Sequence, residues 1–284
     1  MTSTEHPGAG PLSVWLLDPD DTHERYRARY TPDTPHPADV LNPTLAARAI
    51  ATWTRPGDLI IDPYAGIGAT LIEAAHTGRH AVGVEANPTH HRAAVCNLQY
   101  AATRAARGGR TTLYRGSGHL LPAAVQALRG TAALVLFAAP PHASPDQLAR
   151  AIAAGAELLT DAGHLVVATH ARRPDRRLID VPGSVLTAAT RTGLDPIERL
   201  AAVHLPVTRP HQQSAPGPAA VHTARESGWH DHVIAHTDIL VLRPAHRRAR
   251  RHQRQHARPV PAIPTAASSA LNTATRCGER RAAA

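Results

Sequence analysis

The stretch from residue 58 to residue 88 constrains the fold of this chain more than any other. A short run, Leu59-Ile60-Ile61, leads straight into Asp62-Pro63-Tyr64-Ala65-Gly66-Ile67-Gly68-Ala69-Thr70, and a helical pattern opens behind it over about 68–77. Three apolar residues in a row, bounded by turn formers, suit a strand covered on both faces, as in a parallel sheet. A second apolar run follows at 80–85 and ends in Glu85. Strand, glycine turn, helix and strand together describe one parallel crossover unit.

The alternation continues. It predicts a helix from Pro88 to about 106, a strand at 111–115, a helix at 119–129, a strand at 132–137, a helix at 145–160 and a strand at 163–169. A helix at 184–193 and later strands at 196–207 and 233–242 follow, the last two joined by a polar insert at 208–230. Such alternation argues for an α/β, doubly wound and mainly parallel sheet. Ahead of it, residues 43–54 carry apolar positions at helical spacing, with Pro43 suited to the first turn. Residues 1–13, rich in Pro, Gly, Ser and Thr, read as a disordered lead-in, 14–244 as one domain with 14–57 as its N-terminal extension, and 245–284 as a disordered tail.

The loop carries the chemistry. Glycines 66 and 68 permit a tight turn and a close backbone approach to a ligand, and the helix start behind them offers unpaired N–H groups. Glu85 closes the second strand, where a carboxylate accepts the two hydroxyls of a ribose. A nicotinamide or flavin site is the alternative, but such a site prefers a third glycine where this chain has Leu71. Asp62 separates the two readings. An acid at the end of the first strand repels a pyrophosphate and suits the cationic amino-acid end of S-adenosylmethionine.

The run LIIDPYAGIGATLIEAAHTGRHAVGVEANP resembles the cofactor half of class I methyltransferases that methylate exocyclic amino groups of nucleic-acid bases. That group includes the bacterial DNA adenine and cytosine amino-methyltransferases and the tRNA guanosine methyltransferase-like proteins, of which an actinobacterial set is most similar. HPADVLNPTLAARAIATWTRPGD, LIDVPGSVLTAATRTGL and HVIAHTDILVLR extend the resemblance over about 13–244. It implies a Rossmann-like fold: a mainly parallel seven-stranded sheet, helices on both faces, and a C-terminal antiparallel strand. It also implies that Asp62, Pro63, Tyr64, Ala65, Gly66 and Gly68 cradle the methionine moiety, that Glu85 binds the ribose, and that His36 and Pro37 close the pocket. Ser117, in Arg115-Gly116-Ser117-Gly118, stands where the family has an acid for the adenine amino group.

The same resemblance places the catalytic loop at Phe137-Ala138-Ala139-Pro140-Pro141-His142. Family members carry Asp, Asn or Ser, then Pro-Pro, then an aromatic. An amino group conjugated to a base is a poor nucleophile; acceptors bonding both its hydrogens favour a tetrahedral nitrogen, the aromatic stacks on the extruded base, and the prolines stiffen the loop. Here Ala139 has no side-chain acceptor and His142 replaces the aromatic. The backbone carbonyls of Ala139 and Pro140 remain as candidate acceptors, and His142 as a flat ring.

Charge adds little to this. The formal net charge is +9, and residues 245–284 hold nine arginines and one glutamate, so the folded region is close to neutral. Arg-rich 247–258 could contact phosphates non-specifically. The two cysteines, Cys96 and Cys277, have no metal-ligand spacing, and the pairs around 230–232 and 236–238 supply two ligands at most, so no metal site is expected. Neither a signal peptide nor an apolar run of membrane-spanning length is visible, which points to the cytoplasm.

The expected function is methyl transfer from S-adenosylmethionine to an exocyclic amino nitrogen, with a DNA or RNA substrate. DNA is favoured, because about 57 residues precede the first strand and leave no room for a separate RNA-binding module. The alternatives are a catalytically degenerate binding protein with a methyltransferase fold and a small-molecule methyltransferase.

Overall fold

Ile60 packs into one hydrophobic layer while its neighbours Leu59 and Ile61 pack into another, and this two-residue period organises the core on both sides of one sheet. The structure, a computed structural model, describes residues 13–35, 40–104, 108–169, 179–203 and 236–245. Its strands are β1 (Val14–Leu16), β2 (Leu59–Asp62), β3 (His80–Glu85), β4 (Thr111–Arg115), β5 (Ala132–Ala138), β6 (Leu159–Thr169), β7 (Leu194–Val203) and β8 (His236–Pro244). Helices α1 (Pro19–Arg29), α2 (Pro43–Trp53), α3 (Ala69–His76), α4 (Pro88–Ala102), α5 (Ala123–Gln126), α6 (Pro145–Leu158) and α7 (Val181–Arg191) connect them.

The sheet runs in the order β1-β7-β8-β6-β5-β2-β3-β4. All neighbours are parallel except β8, which is antiparallel to both β6 and β7. One face is covered by residues of α5, α6 and α7 such as Val125, Leu148, Ile152 and Val185. The other is covered by α2 and α3 through Leu45, Ile50 and Leu71. The expected Rossmann-like sheet, helices on both faces and antiparallel C-terminal strand are all present.

Three differences from expectation have physical causes. Among the described residues the sheet has eight strands rather than seven, because Val14–Leu16 adds a parallel edge strand against Ala201–Val203; only Trp15 is buried there, so three residues give too little periodicity to read. Helix α1 lacks an apolar stripe and buries none of its residues, so its signal is in capping. Asp18 accepts the Asp20 N–H, Pro19 opens the helix and Arg25 pairs with Asp21. The helix expected at 119–129 shrinks to Ala123–Gln126, with Pro122 before it and Gly130 in the left-handed region beyond. Smaller shifts arise at α7, which opens on an Asp180 cap. The lead-in, His36 and Pro37, the insert at 208–230, Cys277 and the arginine-rich tail lie outside the described residues.

Helix starts follow one rule in five places, the Asp18 cap of α1 and the Asp180 cap of α7 among them. Asn42 before α2, Asn87 before α4 and Ser144 before α6 each accept backbone N–H groups of the first turn, with a proline at its head. Helix α3 departs from it. Its N-cap is Gly68, at φ 93° and without a side-chain cap, so the first-turn N–H groups of α3 have no capping side chain where the glycine loop arrives.

Candidate active site

Strands β2 and β3 are adjacent and parallel with Asp62 level with Gly83, so Asp62 and Glu85 both stand at the carboxyl edge of the sheet. Ligands of open α/β sheets bind at this edge. Both carboxylates are buried, and every oxygen of the pair has a partner. Asp62 Oδ1 accepts the Tyr64 N–H at 2.9 Å and Oδ2 accepts the Thr70 hydroxyl at 2.5 Å. Glu85 Oε2 accepts the Gly66 N–H at 2.7 Å and Oε1 the Asn87 N–H at 2.6 Å.

Burial pushes the Asp62 pKa up to about 7, and the neighbouring Glu85 charge adds to the rise; the bonds from Thr70 and Tyr64 pull the other way. The acid therefore sits near the point where a cationic neighbour would ionise it. Each Glu85 oxygen accepts one bond and has capacity for another, directed away from the two N–H groups.

The glycine loop is shaped by its surroundings as well as by its own residues. Gly66 has φ 54° and Gly68 φ 93°, a region that other residues enter only with strain. A Cβ on Gly66 would come within 2.7 Å of Val40 Cγ1, so the segment before α2 lies directly on the loop. The Ala65 N–H donates to the Val84 carbonyl at 2.9 Å and the Gly68 N–H to the Ala65 carbonyl at 2.8 Å. Asn97 of α4, fully buried, donates from Nδ2 to the Ile67 carbonyl at 3.1 Å.

The β4–α5 connection closes the next side. Gly118 is so close to the loop after β2 that a Cβ would meet the Pro63 carbonyl and stand 2.7 Å from Tyr64 Cζ. Ser117 Oγ lies 2.7 Å from His119 Nδ1, so the serine that stands in the family's acid position already has a hydrogen-bond partner. Tyr64 packs on Phe137 with ring centroids 5.5 Å apart, and this links the loop after β2 to the end of β5. Its hydroxyl is buried without a hydrogen-bond partner among the described residues, and burial raises its pKa to about 12.

Beyond β5, Ala139 to His142 leave the sheet beside β2, its neighbour. Ala139 is half-buried against the core and its N–H donates to the Ala168 carbonyl at 2.8 Å. The Pro140 carbonyl accepts the Ala143 N–H at 3.1 Å in a tight turn, so one of the two expected backbone acceptors is already engaged. His142 is exposed.

The structure thus gathers Asp62, Pro63, Tyr64, Ala65, Gly66, Gly68, Glu85, Ser117 and the Ala139–His142 loop at one edge. His36 is outside the described residues. Sequence reading missed Thr70, Asn97, Val40 and Gly118. Only Gly118 carried a signal, as the second glycine of Arg115-Gly116-Ser117-Gly118. Among the described residues no group of three or more His, Cys, Asp or Glu could hold a metal ion, and no helix is long and apolar enough to cross a membrane. Asp238 is instead bound by Arg199 across β7 and β8, at 3.0 Å.

Comparison with known proteins finds a family model over the first third of the chain. Residues 4–95 match the family model described as DNA methylase. A candidate methylase, YubD of Escherichia coli (strain K12), is 32% identical over 75 residues, which are 26% of this chain and 31% of that protein. The aligned region therefore spans about a third of the relative's length. Among solved structures, TrmN from Thermus thermophilus is 15% identical and the match covers 72% of this chain and 49% of that one, with a TM-score of 0.46. A TehB-like S-adenosylmethionine-dependent methyltransferase from Corynebacterium glutamicum is 16% identical over 70% of this chain and 86% of that one, at TM-score 0.45.

Proposed function

With residues 4–95 matching the DNA methylase model, we propose that this chain is an S-adenosylmethionine-dependent methyltransferase acting on an exocyclic amino group of a nucleic-acid base. The observation that carries the reading is the pair of buried carboxylates, Asp62 and Glu85, on either side of a glycine loop with positive φ at both glycines. Two acids repel a pyrophosphate but complement an ammonium group and a ribose diol.

The residues present fit that cofactor. Asp62, poised near pH 7, becomes a carboxylate beside an α-ammonium group. Glu85 has lone pairs to spare for ribose hydroxyls, the buried Tyr64 hydroxyl lacks a partner among the described residues, and Ser117 supplies one acceptor for an adenine amino group. When bound, the cofactor supplies an electrophilic methyl group on a sulfonium. In-line transfer needs little covalent help, so positioning carries most of the rate. The Ala139 carbonyl and the second lone pair of the Pro140 carbonyl orient the amino nitrogen, and His142, exposed at the rim, stacks on the base. DNA is the favoured substrate, with tRNA as the alternative, and the arginines of 247–258 add phosphate contacts.

A second reading, a binding protein that keeps the cofactor and has lost turnover, is favoured by the missing side-chain acceptor at Ala139. Calorimetry with S-adenosylmethionine tests the pocket, and no binding at millimolar ligand sinks both versions. Transfer of a labelled methyl group to DNA, to total tRNA and to a control without nucleic acid separates the enzyme from the binder.

A further inference from the structure

Among the described residues, Asn97 is a buried side chain with four hydrogen bonds, twice as many as either carboxylate of the site. Its Oδ1 accepts the Thr31 N–H at 3.0 Å, the Thr31 hydroxyl at 3.1 Å and the Thr34 hydroxyl at 2.6 Å. Its Nδ2 donates to the Ile67 carbonyl, between the two glycines of the loop. The side chain is fully buried, and Thr34 is buried beside it. One amide thus grips the segment after α1 with one end and the glycine loop with the other.

The same N-terminal segment is fastened to the loop's helix elsewhere. Arg25 and Arg29 of α1 both donate to Oε2 of Glu73, a buried residue of α3. Val40 seats on Gly66 from the segment's far end. Asn97 is the member of this set that bonds directly to loop backbone. A carboxamide suits the place, because it offers an acceptor and a donor on one planar group. Aspartate would keep the acceptor for the threonines but turn a lone pair towards the Ile67 carbonyl.

We propose that Asn97 is a positioning residue for the cofactor loop: it fixes the Ile67 peptide and couples the order of residues 31–34 to the shape of residues 65–68. This rests on the cofactor reading given above. Coupling of this kind is reciprocal, so a ligand that orders the loop also orders the threonines.

The test uses the full chain, S-adenosylhomocysteine as ligand, and the variants Asn97→Asp, Thr34→Val and Leu194→Ala. Leu194 begins β7 at the opposite edge of the sheet and is buried, so it controls for lost stability alone. Asn97→Asp is expected to raise Kd about tenfold or more, the effect of a lost buried hydrogen bond. Thr34→Val is expected to raise it by about two- to fivefold, and Leu194→Ala to lower the melting temperature with Kd unchanged. Hydrogen exchange supplies a readout that needs no ligand: the Gly66 and Gly68 amides should exchange about tenfold faster in Asn97→Asp than in wild type, while those of β5 do not. An unchanged Kd in the folded Asn97 and Thr34 variants, or unchanged exchange at Gly66 and Gly68, overturns the proposal. If Asn97→Asp fails to fold, Thr34→Val decides by the same two measurements. If wild type binds no S-adenosylhomocysteine, the cofactor reading falls, and the exchange rates still decide whether Asn97 fixes the loop.

Discussion

The Gly66 N–H donates to Glu85 Oε2 at 2.7 Å across 19 residues of sequence. That bond joins the two parts of the cofactor site, the glycine turn after β2 and the acid that ends β3. With the Asn87 N–H on Oε1, the carboxylate is held between two backbone donors and its remaining lone pairs are aimed before any ligand arrives. Preorganisation of this kind removes the ordering cost from binding.

Glu85→Gln tests that arrangement. An amide keeps one acceptor but turns its NH2 group towards one of the two backbone donors. Cofactor Kd should rise by about tenfold or more, and the ligand-free protein should lose about 1–3 kcal/mol for the unsatisfied N–H. Calorimetry and denaturant unfolding measure the two effects.

Asp62 predicts a pH dependence. Its carboxyl titrates near 7 in the folded chain against an ordinary 3.8, so the folded state binds more protons than the unfolded state between these values. Its contribution therefore makes stability fall as pH rises from about 4 to about 7. Asp62→Asn should remove this slope, because Asn keeps an oxygen for the Tyr64 N–H while the Thr70 hydroxyl turns to accept from its NH2 group. The same variant should bind the cofactor more weakly, and in wild type affinity should increase through pH 7 with release of a proton. Calorimetry in buffers of different ionisation enthalpy detects that proton.

The two loop glycines should differ in sensitivity. Gly68→Ala incurs strain of about 1–2 kcal/mol from the left-handed backbone at φ 93°, while its new Cβ would stand at an ordinary 3.5 Å from Ala94. Gly66→Ala adds a collision with Val40 at 2.7 Å, worth a further ~1–3 kcal/mol. Melting curves should rank Gly66→Ala as the more damaging. Pairing it with Val40→Ala should recover part of the loss.

The loop after β5 is a test of turnover. Ala139→Asn restores a side-chain acceptor and His142→Tyr a stacking ring, so the double variant should transfer methyl groups faster than wild type. A gain of about tenfold is expected for each restored contact. Labelled transfer to DNA and to tRNA reads it, and no gain on either would show that this loop does not limit the reaction.

Much of this was legible in the chain because it lies in local pattern. Three apolar residues followed by Asp62 and two glycines reveal a buried strand, a turn and the edge at which they meet. Glu85 closes the next strand by the same logic. Asn97, Thr70 and Val40 were not legible. Their roles arise from contacts across 30, 8 and 26 positions, and an Asn within a helix looks the same whether it faces water or a loop carbonyl. Helix α1 was hidden for the opposite reason, since its attachments are charges to Glu73 rather than an apolar stripe.

Strand β1 imposes an order in time. Val14 pairs with Ala201 and Leu16 with Val203, so the edge strand has no partner until β7 has left the ribosome. At roughly 5–20 residues per second, β1 waits on the order of ten seconds or more after the glycine loop is made, whereas α1 and the threonines behind it meet Glu73 and Asn97 far sooner. The cofactor half can form its strands early, but this edge of the sheet is completed late in synthesis.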